Sequence, residues 1–198
     1  MPKIVDHAKR KEQIAEATWQ VIRREGLDGV SVRRIAEEMG ISLGALRHYF
    51  DSQEELLAFA MRLISSRVHA RIRSLPFTGH PRQDLEQAIA QIAPLDEERI
   101  AECEVWLAFA GKAVSDDTIR ALSQEVHEQI YHGLRQTIDS LILQGLLKPG
   151  IDPEQETRRL HALIDGLVVH CTTYPDLFRT DDLMQTVSYH LDTLFVQP

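Results

Sequence analysis

Cysteine is nearly missing from this chain of 198 residues. It has two, Cys103 and Cys171, too few for a disulfide framework. Both sit on apolar helical faces, where buried reduced thiols are expected. Long apolar runs are missing as well. None approaches the roughly 20 residues that cross a bilayer, so no membrane partner is expected. Met1–Arg10 is polar and no hydrophobic segment follows, which makes the cytoplasm the expected compartment. Strand-like alternation of useful length, internal repeats and low-complexity tracts are all lacking, and so are HExxH, paired CxxC, GxSxG and phosphate-loop patterns. No nucleophile–base constellation is assembled, so neither catalysis nor a cofactor is expected.

Nine histidines invite a metal reading. His161 and Asp165 are spaced i, i+4, but His170 and its neighbour Cys171 point to different faces of one helix. No metal site is expected, and a helical-bundle metal-binding or redox-sensing protein is the alternative class. What is present is the composition of an ordinary globule, 43% hydrophobic and 26% charged, long enough for one or two domains with a real core.

The net charge of −8 at first argues against a nucleic-acid partner, but its distribution removes the objection. Residues 1–73 hold 13 Lys/Arg and 10 Asp/Glu, +3, whereas residues 74–198 hold 9 and 20, −11. Phosphate binding needs a local basic face, which Lys9, Arg10 and Lys11 help to supply at the N-terminal edge.

The stretch 31–50, SVRRIAEEMGISLGALRHYF, is the most informative. Val32, Ile35, Ala36 and Met39 fall at i, i+3, i+4 and i+7, one apolar helical face. Ser31 is a plausible N-cap and Gly40 a helix stop in the left-handed conformation. Ser42 can cap a second, short helix whose Leu46 and Phe50 face inward. Leu43, Gly44, Arg47, His48 and Tyr49 are then left on an outward rim. A plain helical hairpin with a solvated Arg47 has the same punctuation. A preceding helix at 8–25, with Ile14, Ala17, Val21 and Ile22 on one stripe and Gly26 at its end, adds the third helix that a helix-turn-helix needs for a core. On that reading the second short helix enters a DNA major groove.

From Ala15 to Leu57 the chain resembles the N-terminal domain of the TetR family of bacterial transcriptional regulators. The matching landmarks are Ala17, Gly26, Ser31, Ile35, Ala36, Gly40-Ile41-Ser42, Gly44, Leu46, Tyr49-Phe50 and Glu55-Leu56. The resemblance implies DNA contacts by Ser31, Arg33, Ser42, Leu43, Gly44, Arg47, His48 and Tyr49. Tyr49 and His48 can donate to phosphate oxygens, Arg47 can grip a guanine edge or a phosphate, and Leu43 can meet a thymine methyl. Two positions depart from the commonest pattern. Arg47 stands where a Tyr is usual and Gln53 where a Lys is usual, which removes one phosphate contact.

The remainder reads as helical throughout, giving an all-α fold: a three-helix DNA-binding domain at 1–51 and a helical regulatory and dimerisation domain at 52–198. Ser52 and Glu55 form an S-x-x-E capping box for a helix to about Leu75, the natural lever between the domains. Pro76–Pro81 is a linker. Helices follow at about 82–93, Asp96–Val114 and Asp116–Gln144. Asp152-Pro153-Glu154-Gln155 starts another, and Pro175 separates it from the last, about 181–195. The final pair has wide apolar faces, which either close the core of one chain or face a second copy. In the TetR family this pair forms a four-helix bundle with a second subunit, which implies dimerisation through Ile164, Gly166, Leu167, Val187 and Leu191.

The C-terminal part also resembles the BetI-like subgroup, through Trp106-Leu107-Ala108-Phe109 and Leu163-Ile164-Asp165-Gly166-Leu167. An effector pocket is then expected among the helices beginning near 96, 116 and 153. Cys103, Trp106, Ala110, His127, Tyr131 and Cys171 are its candidate walls, although each is also ordinary core filling. The expected function is a homodimeric repressor that binds a near-palindromic double-stranded DNA operator and is released by a small-molecule effector.

Overall fold

A computed structural model describes residues 7–76 and 78–196. Its helices are α1 (His7–Glu25), α2 (Val32–Glu38), α3 (Leu43–Arg47), α4 (Gln53–Ser74), α5 (Pro81–Ala90), α6 (Glu97–Lys112), α7 (Asp117–Leu143), α8 (Pro153–Thr173) and α9 (Thr180–Leu194). Among the described residues the β structure is a single isolated bridge, Leu147 to Phe195. The fold is all-α, as expected. Packing divides the chain into two units: residues up to Arg67 with Glu104–Gln124, and Val68–Cys103 with residues from Glu125 onward. Residues of α4, α6 and α7 belong partly to each.

The first unit is built around α1. Ile14, Ala15, Trp19, Val21 and Ile22 are buried, and they meet Ile35 and Ala36 of α2, Leu46 of α3 and Phe50 in one core. Each fully buried side chain of this kind stabilises by roughly 1.5–3 kcal/mol. Trp19 fills the site without stranding its polar atom, because its indole N–H donates to the Ala60 carbonyl at 3.0 Å. The outer half of α6 joins the same unit through Val105 and Phe109, both fully buried. Glu104 pairs with Arg23, and Lys112 reaches Asp28 at 2.6 Å.

Local signals set the helix ends. Ser31 accepts from the Arg34 N–H and Ser42 from the Ala45 N–H, each at 3.1 Å, as their cap positions require. At the end of α2, Gly40 adopts φ +62°, and the Ile41 N–H returns to the Ala36 carbonyl at 3.0 Å, closing a Schellman turn. The box at Ser52 is shifted by one residue. Ser52 accepts from the Glu55 N–H at 3.1 Å, but the Glu55 carboxylate takes the Asp51 N–H at 2.9 Å rather than that of Ser52.

In the second unit, Leu160, Ile164, Val168 and Cys171 of α8 and Leu183, Val187, Leu191 and Leu194 of α9 form buried stripes. Leu85 and Ile89 of α5 and Val126, Leu134, Ile138 and Leu141 of α7 belong to the same core. Asp152 caps α8 by accepting from the Glu154 and Gln155 N–H groups at 2.8 and 3.0 Å. Arg82 ties α5 to α9 through Asp192 and Ser188 Oγ, both at 2.7 Å. Arg71 grips the buried carboxylate of Glu102 with two bonds, at 2.9 and 2.5 Å, and donates to the Gln91 carbonyl at 3.0 Å.

Candidate nucleic-acid interface

Leu46 and Phe50 anchor α3 from below, at 0% and 1% exposure, so the helix can present only its opposite face. That face carries Ser42, Gly44, Arg47 and His48, all exposed, with Leu43 half-buried beside them. Arg47 has no acidic partner among the described residues. Tyr49 is half-buried because its ring stacks on His7 of α1, centroids 4.7 Å apart. Its place on the rim is therefore braced, a contact the sequence did not signal. Gly44 is not demanded by its own fold: a Cβ there would meet nothing nearer than Ser42 Oγ at 4.0 Å.

α2 sorts its two arginines. Arg34 is locked to Glu25 at 2.7 Å and Glu38 at 3.1 Å, and Arg24 bonds Glu38 at 2.8 Å and Glu25 at 3.0 Å. This square joins the end of α1 to α2. The Arg34 hydrogen bond, then that of Arg24, holds the Glu25 carboxyl below its ordinary range, and Arg24 does the same for Glu38. Arg33 instead points outward with its side chain 82% exposed, against Glu37 at 3.1 Å. An ion pair so solvated is worth at most about 1 kcal/mol and is readily exchanged for a phosphate. Near the rim, Lys11 lies over the Phe50 ring, 4.8 Å from its centroid, and 3.6 Å from Glu55. Ser31 is half-buried at the cap of α2.

The expected effector residues fall in both units. Trp106 and Ala110, half-buried, belong to the first unit; Cys103, His127, Tyr131 and Cys171 belong to the second. The Cys103 thiol donates to the Ile92 carbonyl at 3.4 Å, and the Cys171 thiol faces the Arg179 carbonyl at 3.7 Å. Burial raises the Cys171 thiol above its ordinary range, so it is held as the thiol. His127 and Tyr131 do converge, and on His161: the His127 ring stacks on it at 4.4 Å, and the Tyr131 ring lies 6.2 Å away. The Tyr131 hydroxyl donates to Glu154 at 2.8 Å. Burial lowers the His161 ring to about 4 and raises the Asp165 carboxyl to about 6. Of these the sequence showed only the His161–Asp165 spacing; His127 comes from another helix.

The residues expected at the subunit contact divide by burial. Ile164, Val187 and Leu191 are 2%, 0% and 0% exposed, covered by their own chain. Gly166 is exposed, on the far side of α8 from Ile164, and Leu167 is half-buried on the flank between them. A Cβ at Gly166 would meet nothing within 4 Å.

Two capped short helices braced by a third, with a polar rim on the second, define a helix-turn-helix DNA-binding protein carrying a larger helical unit. Residues 14–66 match the family described as bacterial regulatory proteins of the tetR family, and residues 81–196 match the C-terminal domain of BetI-type transcriptional repressors. The HTH-type transcriptional regulator PksA of Bacillus subtilis is 41% identical over 198 residues, covering 100% of this chain and 95% of that protein. A solved transcriptional regulator from Rhodococcus superposes with a TM-score of 0.80 at 30% identity, covering 95% of this chain and 99% of its own. A regulator from Saccharomonospora viridis, solved in complex with choline, shares the fold with a TM-score of 0.80 at 24% identity over 96% of this chain and 100% of its own. The chain belongs to the TetR family of transcriptional regulators, with a C-terminal domain of the BetI type.

Proposed function

We propose that this regulator is a homodimeric repressor that reads a near-palindromic operator with Arg47, His48, Tyr49, Ser42, Leu43 and Gly44 of each subunit and is released by a small molecule. The exposed rim of α3 carries the reading. It presents a cation, an imidazole and a bare backbone on a helix fixed at both ends, and Arg47 pairs with no acid among the described residues. Arg47 supplies the bidentate donor suited to guanine or phosphate. Gly44 lets the backbone approach the duplex, and Arg33 and Ser31 add phosphate contacts beside it.

Dimerisation gives two such helices a common task, since half-sites roughly 34–36 Å apart lie on one face of the duplex. The pairing face is the side of α8 left uncovered, with Leu163, Gly166, Leu167 and His170 in helical register, together with the exposed Tyr174 at its end and Tyr189 of α9. Gly166 supports a close helix–helix approach there. For release, the effector must prefer the conformer that cannot bind DNA, and a near-complete switch from 1:99 to 99:1 takes about 10⁴-fold preference. α4, whose residues belong to both units, is the element to transmit it.

Selection of bound fragments from fragmented genomic DNA by the purified protein, followed by a salt titration on the recovered site, tests this reading. Recovery of a shared near-palindrome whose affinity falls steeply with salt supports it, because phosphate contacts release counterions. A flat salt response, or no enriched sequence, rejects it.

A further inference from the structure

The second unit holds a cluster that the DNA-binding reading leaves unused. His127 of α7 and His161 and Asp165 of α8 each offer one ligand-capable atom, and these atoms all lie within 4.8 Å of one another. His161 Nε2 stands 3.7 Å from Asp165 Oδ2, and the two imidazole rings lie nearly parallel, 27° apart, with centroids 4.4 Å apart. We propose that this cluster binds one divalent first-row transition-metal ion of the zinc class, held by two imidazoles and one carboxylate with water completing the shell.

The donor chemistry selects the ion. Two nitrogens and one carboxylate oxygen suit zinc, cobalt, nickel or ferrous iron, whereas magnesium and calcium favour shells made wholly of oxygen. The i, i+4 spacing of His161 and Asp165 puts both on one face of α8. His127 faces them from α7, so an ion here cross-links two helices of the same unit. Burial is graded in the same order as access: His161 is 3% exposed, Asp165 half-buried and His127 exposed. The buried ring is the fixed anchor, and the exposed one leaves an entry path. Bond lengths near 2.0–2.2 Å put neighbouring donors roughly 3–3.5 Å apart, so the cluster has to tighten by about an ångström. Rotation of the solvent-facing His127 ring supplies that movement. The Tyr131 hydroxyl, committed to Glu154 at 2.8 Å, is not a ligand. Ion binding does not depend on how the chain reads DNA, so its failure leaves the function proposed above intact.

Cobalt(II) chloride titrated into the purified full chain at neutral pH provides the test, followed visibly through ligand-field absorption and by calorimetry with zinc chloride. One cobalt per chain, displaced by zinc, is expected. His127→Gln and Asp165→Asn should each weaken the affinity about tenfold or more. Because His127 is exposed, His127→Gln should melt at the wild-type temperature without metal, and added zinc should raise the wild-type transition more than that of the variant. Absence of stoichiometric binding by either ion up to roughly millimolar concentration overturns the assignment, since three protein ligands closing on one ion bind it far more tightly. Wild-type affinity in both variants overturns it as well.

Discussion

Arg71→Met offers a strict test of how the second unit is held together. Glu102 is 3% exposed, and Arg71 satisfies both of its carboxylate oxygens, at 2.9 and 2.5 Å. Methionine keeps much of the aliphatic bulk but removes both charge-assisted bonds, leaving an anion inside the protein. Breaking a buried pair from one side costs about 3–5 kcal/mol. The Arg71 side chain is 23% exposed, so water can partly replace it and the lower end applies, about 3 kcal/mol. For a chain of this length each kcal/mol moves Tm by roughly 2–4 °C, giving a fall of about 6–12 °C. Differential scanning calorimetry at neutral pH measures it. Arg71→Met with Glu102→Leu should recover most of the loss, because the stranded charge is gone. A single variant within about 0.5 kcal/mol of wild type, or a double variant as damaged as the single, refutes the reasoning.

Phe50→Ala should destabilise the first unit by about 3–5 kcal/mol, seen as a lower urea midpoint, because a fully buried ring under α3 is lost. Gly40→Ala should cost about 1–2 kcal/mol by the same measurement, since the position requires φ +62°. Acid should weaken the α1–α2 square. The Glu25 and Glu38 carboxyls are depressed in the folded state, so their stabilisation is present above the ordinary glutamate pKa and is lost as pH falls through the depressed values. Thermal melts of wild type and Glu38→Gln should therefore converge as pH falls below about 4.5, the ordinary glutamate value; parallel curves over that range would count against it.

Caps and turns were readable because they are local. Ser31, Gly40, Ser42 and Asp152 act within four residues of themselves, and each does what its position predicts. Periodicity identified the apolar stripes of α8 and α9 but not what covers them. Ile164, Val187 and Leu191 pattern as interface residues and as core residues equally, and only the packing shows that their own chain covers them. Partnerships between distant helices left no trace in spacing. Glu102 looks like one more acid in the Glu-rich start of α6 until Arg71 reaches it from α4. His127 looks like a surface histidine until α7 lays it on His161. The brace of His7 on Tyr49 is hidden for the same reason.

The rim of α3 is tested most directly by Arg47→Ala, measured as dissociation constant on the selected operator fragment and as Tm of the free protein. Loss of one specific or phosphate contact per subunit should weaken binding by about 1–3 kcal/mol, roughly 5- to 150-fold, with Tm unchanged. Unaltered affinity, or a collapse in Tm that accounts for the lost binding, would mean that Arg47 serves its own fold and that DNA is read elsewhere.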